Sequence, residues 1–264
     1  MQILKRALHI LAHFYMVASL HTGLAVVALY VVAQAHLGQS WSPERAVSIG
    51  AGTVVAYNGL RYGALLWKQK SSPLFWMIRA LMLVLLLLWG ILVYSQKNIP
   101  IWSWILGMAA VALYPWLRRW GVLKIFWVSG VVTFTTVFLG SSVPVEQTRL
   151  HAVAWIHFVY ICALMLPFEI YDSAHDPAEL RTLPQRIGIP WTKRFGYFLG
   201  VVFVVLVFLN HDLHKSWAAI SIAVLTVGAI YKTQPHQSKT FTAFWVEALP
   251  MVWAGLMYGF GGLD

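Results

Sequence analysis

An all-α polytopic membrane protein with about nine transmembrane helices is the fold class the sequence predicts, and three observations predict it. The 264 residues are 59% hydrophobic and only 11% charged, with a mean hydropathy of +0.69. A soluble domain carries roughly 25% charged residues. The apolar residues fall into about nine blocks, and nine spans of about 20 residues occupy about 180 positions, which leaves connections too short for a separate aqueous domain. Residues 1–264 are therefore expected to form a single transmembrane domain. The net charge of +10 comes from 19 Lys and Arg against 9 Asp and Glu, and the cations sit between the apolar blocks. They read as topology signals, so no nucleic-acid partner is expected.

In chain order the expected spans are residues 7–32, 47–67, 76–94, 101–116, 123–139, 153–170, 195–209, 217–231 and 241–260, each bounded by charged residues or by Pro, Gly and Asn. The first follows Lys5 and Arg6 but is too long for a signal peptide and lacks a small-residue cleavage site, so it is expected to remain as a helix. The runs starting at residues 101, 195 and 217 are short, and flanking Trp, Tyr and Lys complete those crossings at the interface. Alternating the connections gathers Lys5, Arg6, Lys68, Lys70, Arg79, Arg118, Arg119, Lys124, Arg181, Arg186, Lys193, Arg194, Lys232 and Lys239 on one side. Only Arg45, Lys97, Arg149 and Lys215 fall on the other, and Arg61 lies within a span. The positive-inside rule then puts the N-terminus in the cytoplasm and the C-terminus outside, as in a bacterial inner membrane.

Acidic residues carry the functional signal. Glu44 is the only one before Glu146, whereas Glu169, Asp172, Asp176 and Glu179 crowd together at the cytoplasmic end of the sixth span. Offsets of three and seven from Glu169 bring Asp172 and Asp176 to nearly the same helical face. Carboxylates at that spacing suit Mg²⁺ shared with the phosphates of a substrate. They equally suit a solvated helix end whose acids pair with Arg181 or Arg186.

The longer segment YDSAHDPAELRTLPQRIG, residues 171–188, resembles the second aspartate motif of the UbiA superfamily of intramembrane prenyltransferases. Asp172, Asp176, Arg181, Thr182, Leu183, Pro184 and Gly188 match its D-x-x-x-D, basic residue, Thr-Leu-Pro and Gly. Upstream, Tyr114-Pro115-Trp116-Leu117-Arg118-Arg119 is similar to the family's Tyr-Pro-x-x-Lys-Arg, with Arg in place of Lys. Helix number and chain length agree, so the resemblance covers essentially the whole chain.

The resemblance implies a UbiA-like helical barrel in which Mg²⁺, held by two Asp motifs, ionises a polyprenyl diphosphate and the allylic cation alkylates a lipophilic acceptor, aromatic or quinone-type. Asp172 and Asp176 would hold the metal and act in catalysis together with Asn58, while Arg61, Arg118, Arg119 and Arg181 would bind the diphosphate. The first aspartate motif departs from the family: it aligns at Asn58, Gly59, Tyr62 and Leu66, so only the Asn is kept, and Arg61 appears one turn later on the same face. Arg61 is expected to face Asp172 and Asp176 across the chamber, or else to snorkel to the cytoplasmic boundary. With so few carboxylates the site is expected to bind Mg²⁺ weakly or not at all.

His9 and His13 at i, i+4, and the cluster of His211, Asp212 and His214, are read as interfacial or solvated before they are read as ligands. The single cysteine, Cys162, admits neither an intramolecular disulfide nor a Cys-based metal site. The 14 Trp, 11 Tyr and 14 Phe are read as packing and interface anchors. Two readings therefore stand: a prenyltransferase with a reduced metal site, or an inactive UbiA-fold subunit that binds lipid or isoprenoid within a membrane complex. A transporter is disfavoured, because its ionisable residues would line a path at mid-depth rather than gather at one surface.

Overall fold

The computed structural model describes residues 2–68, 72–97, 99–141, 145–210 and 213–260, with the side chains of 2–9, 64, 66, 67, 213 and 214 excepted. Among the described residues 85% are helical and no strand occurs. The helices are α1 (Gln2–Val17), α2 (Leu20–Leu37), α3 (Pro43–Lys68), α4 (Pro73–Ser95), α5 (Ile101–Leu117), α6 (Leu123–Thr133), α7 (Gln147–Asp172), α8 (Leu183–Ile187), α9 (Ile189–Asn210), α10 (Leu213–Lys232) and α11 (Leu249–Gly259). Four of them, α2, α4, α7 and α9, are long and apolar enough to cross a membrane. Each apolar run read from the sequence falls on one helix or on two successive helical stretches.

Helix α7 is the axis of the core. Its Ile156, Tyr160, Leu164 and Leu166 pack with Phe203 of α9 and Trp253 of α11 in the largest buried cluster. Apolar residues occur all round α7, as an enclosed helix requires. By contrast α4 buries only 11% of its most apolar window and packs chiefly on α3. A leucine-rich helix left so open to its surroundings is suited to contact with lipid chains rather than water.

Three irregularities shape the bundle. The first expected span is two helices, because Ser19 adopts a left-handed conformation (φ 58°) between α1 and α2. The fifth and ninth runs each contain a π-helical stretch, Phe134–Phe138 and Phe241–Val246. In the second stretch a carbonyl that already accepts from Ala248 N–H at 3.0 Å takes a second partner. This carbonyl, Phe244 O, lies 2.9 Å from His21 Nε2, so that nitrogen carries the proton. Nδ1 then accepts from the Tyr15 hydroxyl at 2.8 Å. The α2–α3 crossing is close because a Cβ on Gly23 would lie 2.7 Å from Val54.

Candidate functional site

The acidic segment is built from the C-terminus of α7 outwards. Glu169 is fully buried in the last turn of α7, and Asp172 is the final helical residue. Asp176 lies beyond the helix, yet its N–H donates to Asp172 O at 2.7 Å, so the expected four-residue spacing is kept by a turn. Arg181 takes a left-handed conformation (φ 48°), and α8 begins immediately after Thr182 with Pro184 in its first turn. Gln185 ties this corner together: its Oε1 accepts from Thr182 N–H at 2.9 Å, and its Nε2 donates to Asp176 O at 3.1 Å. The Thr-Leu-Pro sequence therefore folds the loop back onto the second aspartate. Arg186 Nε donates to Arg181 O at 2.9 Å, so this guanidinium braces the loop and is not an acid's partner.

The connection between α5 and α6 packs against this loop. Gly121 (φ 54°) comes so close that a Cβ there would lie 2.2 Å from Leu180 O, a contact only glycine permits. Arg118 Nη2 thereby reaches Asp176 Oδ1 at 3.2 Å. Deeper in, Lys124 at the start of α6 is 6% exposed, with its Nζ 2.6 Å from Glu169 Oε1 and 3.7 Å from Asp172 Oδ2. Two cations thus face three carboxylates, and the inner pair is withdrawn from solvent. The side chains of Arg119 and Arg181 stay exposed at the same end.

Helix α3 contributes differently from expectation. Asn58 is fully buried, but its amide turns away from the aspartates: Oδ1 accepts from Ser19 Oγ at 2.7 Å, and Nδ2 donates to Ala18 O at 2.8 Å. Its task is to hold the break between α1 and α2. The preceding residue is the one in electrostatic range of the acidic segment. Tyr57 is 42% exposed, yet it lies in electrostatic range of Asp172, Tyr114, Arg61 and Glu247, from three other parts of the chain besides its own. Arg61 makes no ion pair with Asp172 or Asp176 within 4.0 Å; its guanidinium lies 4.9 Å from the Tyr62 ring and interacts electrostatically with Glu247. The cation beside Asp172 is Lys124, and this corrects the expectation for Arg61.

Sequence reasoning missed Lys124, Tyr57 and Glu247. Lys124 lies 45 positions from Glu169 and looks like one more topology cation, so only the fold reveals its partners. Glu247 had a legible signal, being the one acid within the last apolar run. It is hydrogen-bonded to Thr22 of α2. The side chains of His9 and His214, and residues His211 and Asp212, lie outside the described residues. His13 is exposed, consistent with its interfacial reading.

The residues present do not fit a Mg²⁺ site of the kind the resemblance implies. Asp172 and Asp176 each already face a cation, and the α3 residue in electrostatic range of Asp172 is Tyr57 instead of a carboxylate. An apolar groove of about 400 Å³ borders the same loop, lined by Phe126, Leu183, Ile187, Trp191, Arg194 and Phe195. No family model, curated protein or solved structure matches the chain.

Proposed function

We propose that the chain is a UbiA-like membrane protein of nine crossings that binds an isoprenoid lipid through its phosphate or diphosphate, with the N-terminus cytoplasmic and the C-terminus external. The observation that carries this reading is the meeting of the two segments that resemble family motifs. Residues 114–119 and 172–188 are far apart in sequence, yet Arg118 pairs with Asp176 and Gly121 seats against Leu180. Arg119 and Arg181 are exposed at the same end of the bundle, and Arg118 is half exposed. Guanidinium groups match phosphate oxygens in two-pronged hydrogen bonds, and the adjacent groove supplies an apolar bed for a polyprenyl chain.

The charge arrangement favours binding over metal-assisted ionisation, which corresponds to an isoprenoid-binding subunit of a membrane complex. Prenyl transfer to a lipophilic acceptor is the second reading, favoured by Asp172, whose side chain is 40% exposed and so retains a face towards the opening. The test is titration of the purified protein in nanodiscs with geranylgeranyl diphosphate. Saturable binding is expected, weakened roughly tenfold in Arg118→Ala and Arg181→Ala. Absence of saturable binding contradicts the proposal. Prenylation of an added quinone precursor, with diphosphate release, would select the second reading over the first.

A further inference from the structure

The acidic centre departs from metal-site design in one specific way: the position between Glu169 and Asp172 is filled by the ammonium of Lys124. We propose that Lys124 is a tethered substitute for a divalent cation, and that this centre is blind to metal in the native protein. The inference deepens the proposed function by naming how the site's charge is balanced. It rests on that reading only for the identity of the lipid.

The argument is geometric and electrostatic. Lys124 Nζ lies 2.6 Å from Glu169 Oε1 and 3.7 Å from Asp172 Oδ2, and Arg118 Nη2 lies 3.2 Å from Asp176 Oδ1. Glu169, Asp172 and Asp176 therefore each have a cation within 4.0 Å, and these five groups keep a formal excess of a single negative charge. Mg²⁺ needs near-octahedral oxygen ligands at about 2.1 Å and gives up its water reluctantly. To bind here it would have to displace an ammonium that is itself buried and whose removal leaves Glu169 uncompensated. Lysine suits the role because its ammonium is a compact point charge, closer to a metal ion than the planar guanidinium of arginine. Fixed to α6, it neither dissociates nor answers to chelators.

Helix α3 completes the case. Tyr57 is in electrostatic range of Asp172, and α3 itself brings no carboxylate there; the nearest acid on that side, Glu247, is in electrostatic range of Arg61. The substitution is thus two-sided: one half-site has lost its acids, and the other has acquired an internal cation.

The experiment uses the full-length protein in detergent without lipid, so that it reports on the metal alone and fails separately from isoprenoid binding. Mn²⁺ serves as a spectroscopically visible stand-in for Mg²⁺, with bound ion read by electron paramagnetic resonance and melting temperature read with and without EDTA. The native protein and Lys124→Arg are expected to show no saturable Mn²⁺ binding and no EDTA-sensitive shift. Lys124→Gln should gain a Mn²⁺ site at least roughly tenfold tighter than any native binding, with an EDTA-reversible rise in melting temperature. Adding Asp172→Asn should abolish that gain. Should Lys124→Gln fail to purify as a folded protein, Lys124→Gln combined with Glu169→Gln removes both members of the buried pair and is expected to show the same gain through Asp172 and Asp176. Tight native Mn²⁺ binding, or no gain in any folded variant lacking Lys124, overturns the inference.

Discussion

At the motif-bearing end of the bundle two cations, Lys124 and Arg118, face carboxylates, whereas at the opposite end Arg45 and Arg149 face backbone carbonyls. Arg45, 5% exposed at the start of α3, donates to Gly140 O at 2.9 Å, just beyond the π-helical stretch that follows α6. Arg149, at the start of α7, donates to His36 O at 3.0 and 3.2 Å, in the last turn of α2. Both guanidiniums sit where helix C-termini present unsatisfied oxygens and the negative end of a dipole. They act as caps and leave no charge to be used. Lys124 and Arg118 sit among Glu169, Asp172 and Asp176 instead, so cations and anions there form a centre that a charged ligand can rearrange. The comparison teaches that a basic residue's partner, more than its presence, separates a structural end from a functional one.

The hardest way to break the comparison is to unpair the inner ion pair. Lys124→Ala leaves Glu169 buried without its cation, and about 3–5 kcal/mol of stability should be lost. The double substitution Lys124→Met, Glu169→Met should recover most of that loss, because an apolar pair of similar volume avoids the desolvation cost. Thermal melts of both variants check this. If the double variant is no more stable than Lys124→Ala, the loss came from packing and not from the unpaired charge.

The capping end should give a smaller and simpler response. Arg45→Ala should cost about 2 kcal/mol, the scale of a lost charged hydrogen bond to a buried carbonyl. It should leave geranylgeranyl diphosphate binding unchanged. Loss of lipid binding in folded Arg45→Ala would erase the division between the two ends.

How far these ends were legible in the sequence follows from the range of the interactions that make them. Apolar runs are local, so each expected span coincides with helical residues, and residues 101–116 became Ile101–Leu117. The D-x-x-x-D spacing predicts one helical face, but α7 ends at Asp172 and Asp176 N–H reaches Asp172 O through a turn. The break at Ser19 was not legible, because the residue is neither Gly nor Pro and its left-handed geometry is held from α3 by Asn58. Resemblance pointed to Asn58 as a site residue, whereas its amide is spent on Ser19 and Ala18 and the neighbouring Tyr57 is the α3 residue in electrostatic range of Asp172. Pairing of Lys124 with Glu169 is invisible in one dimension, since it depends on α6 packing antiparallel to α7.

The smallest expected stability effect sharpens the comparison most finely. Arg118 is half exposed, so its ion pair with Asp176 is screened by solvent and Arg118→Ala should cost at most about 1 kcal/mol of stability. Its effect on phosphate binding should exceed its effect on folding, the reverse of Arg45→Ala. Parallel melts and lipid titrations of the two variants check this ordering.

The central claim is that a tethered ammonium does at this centre what a divalent ion would otherwise do. Titrating the native protein with geranylgeranyl diphosphate, once in EDTA and once in millimolar Mg²⁺, tests it most directly. The account predicts saturable binding in both, with dissociation constants that agree within about twofold. Binding that appears only with Mg²⁺, or tightens by more than about tenfold when it is added, would contradict it.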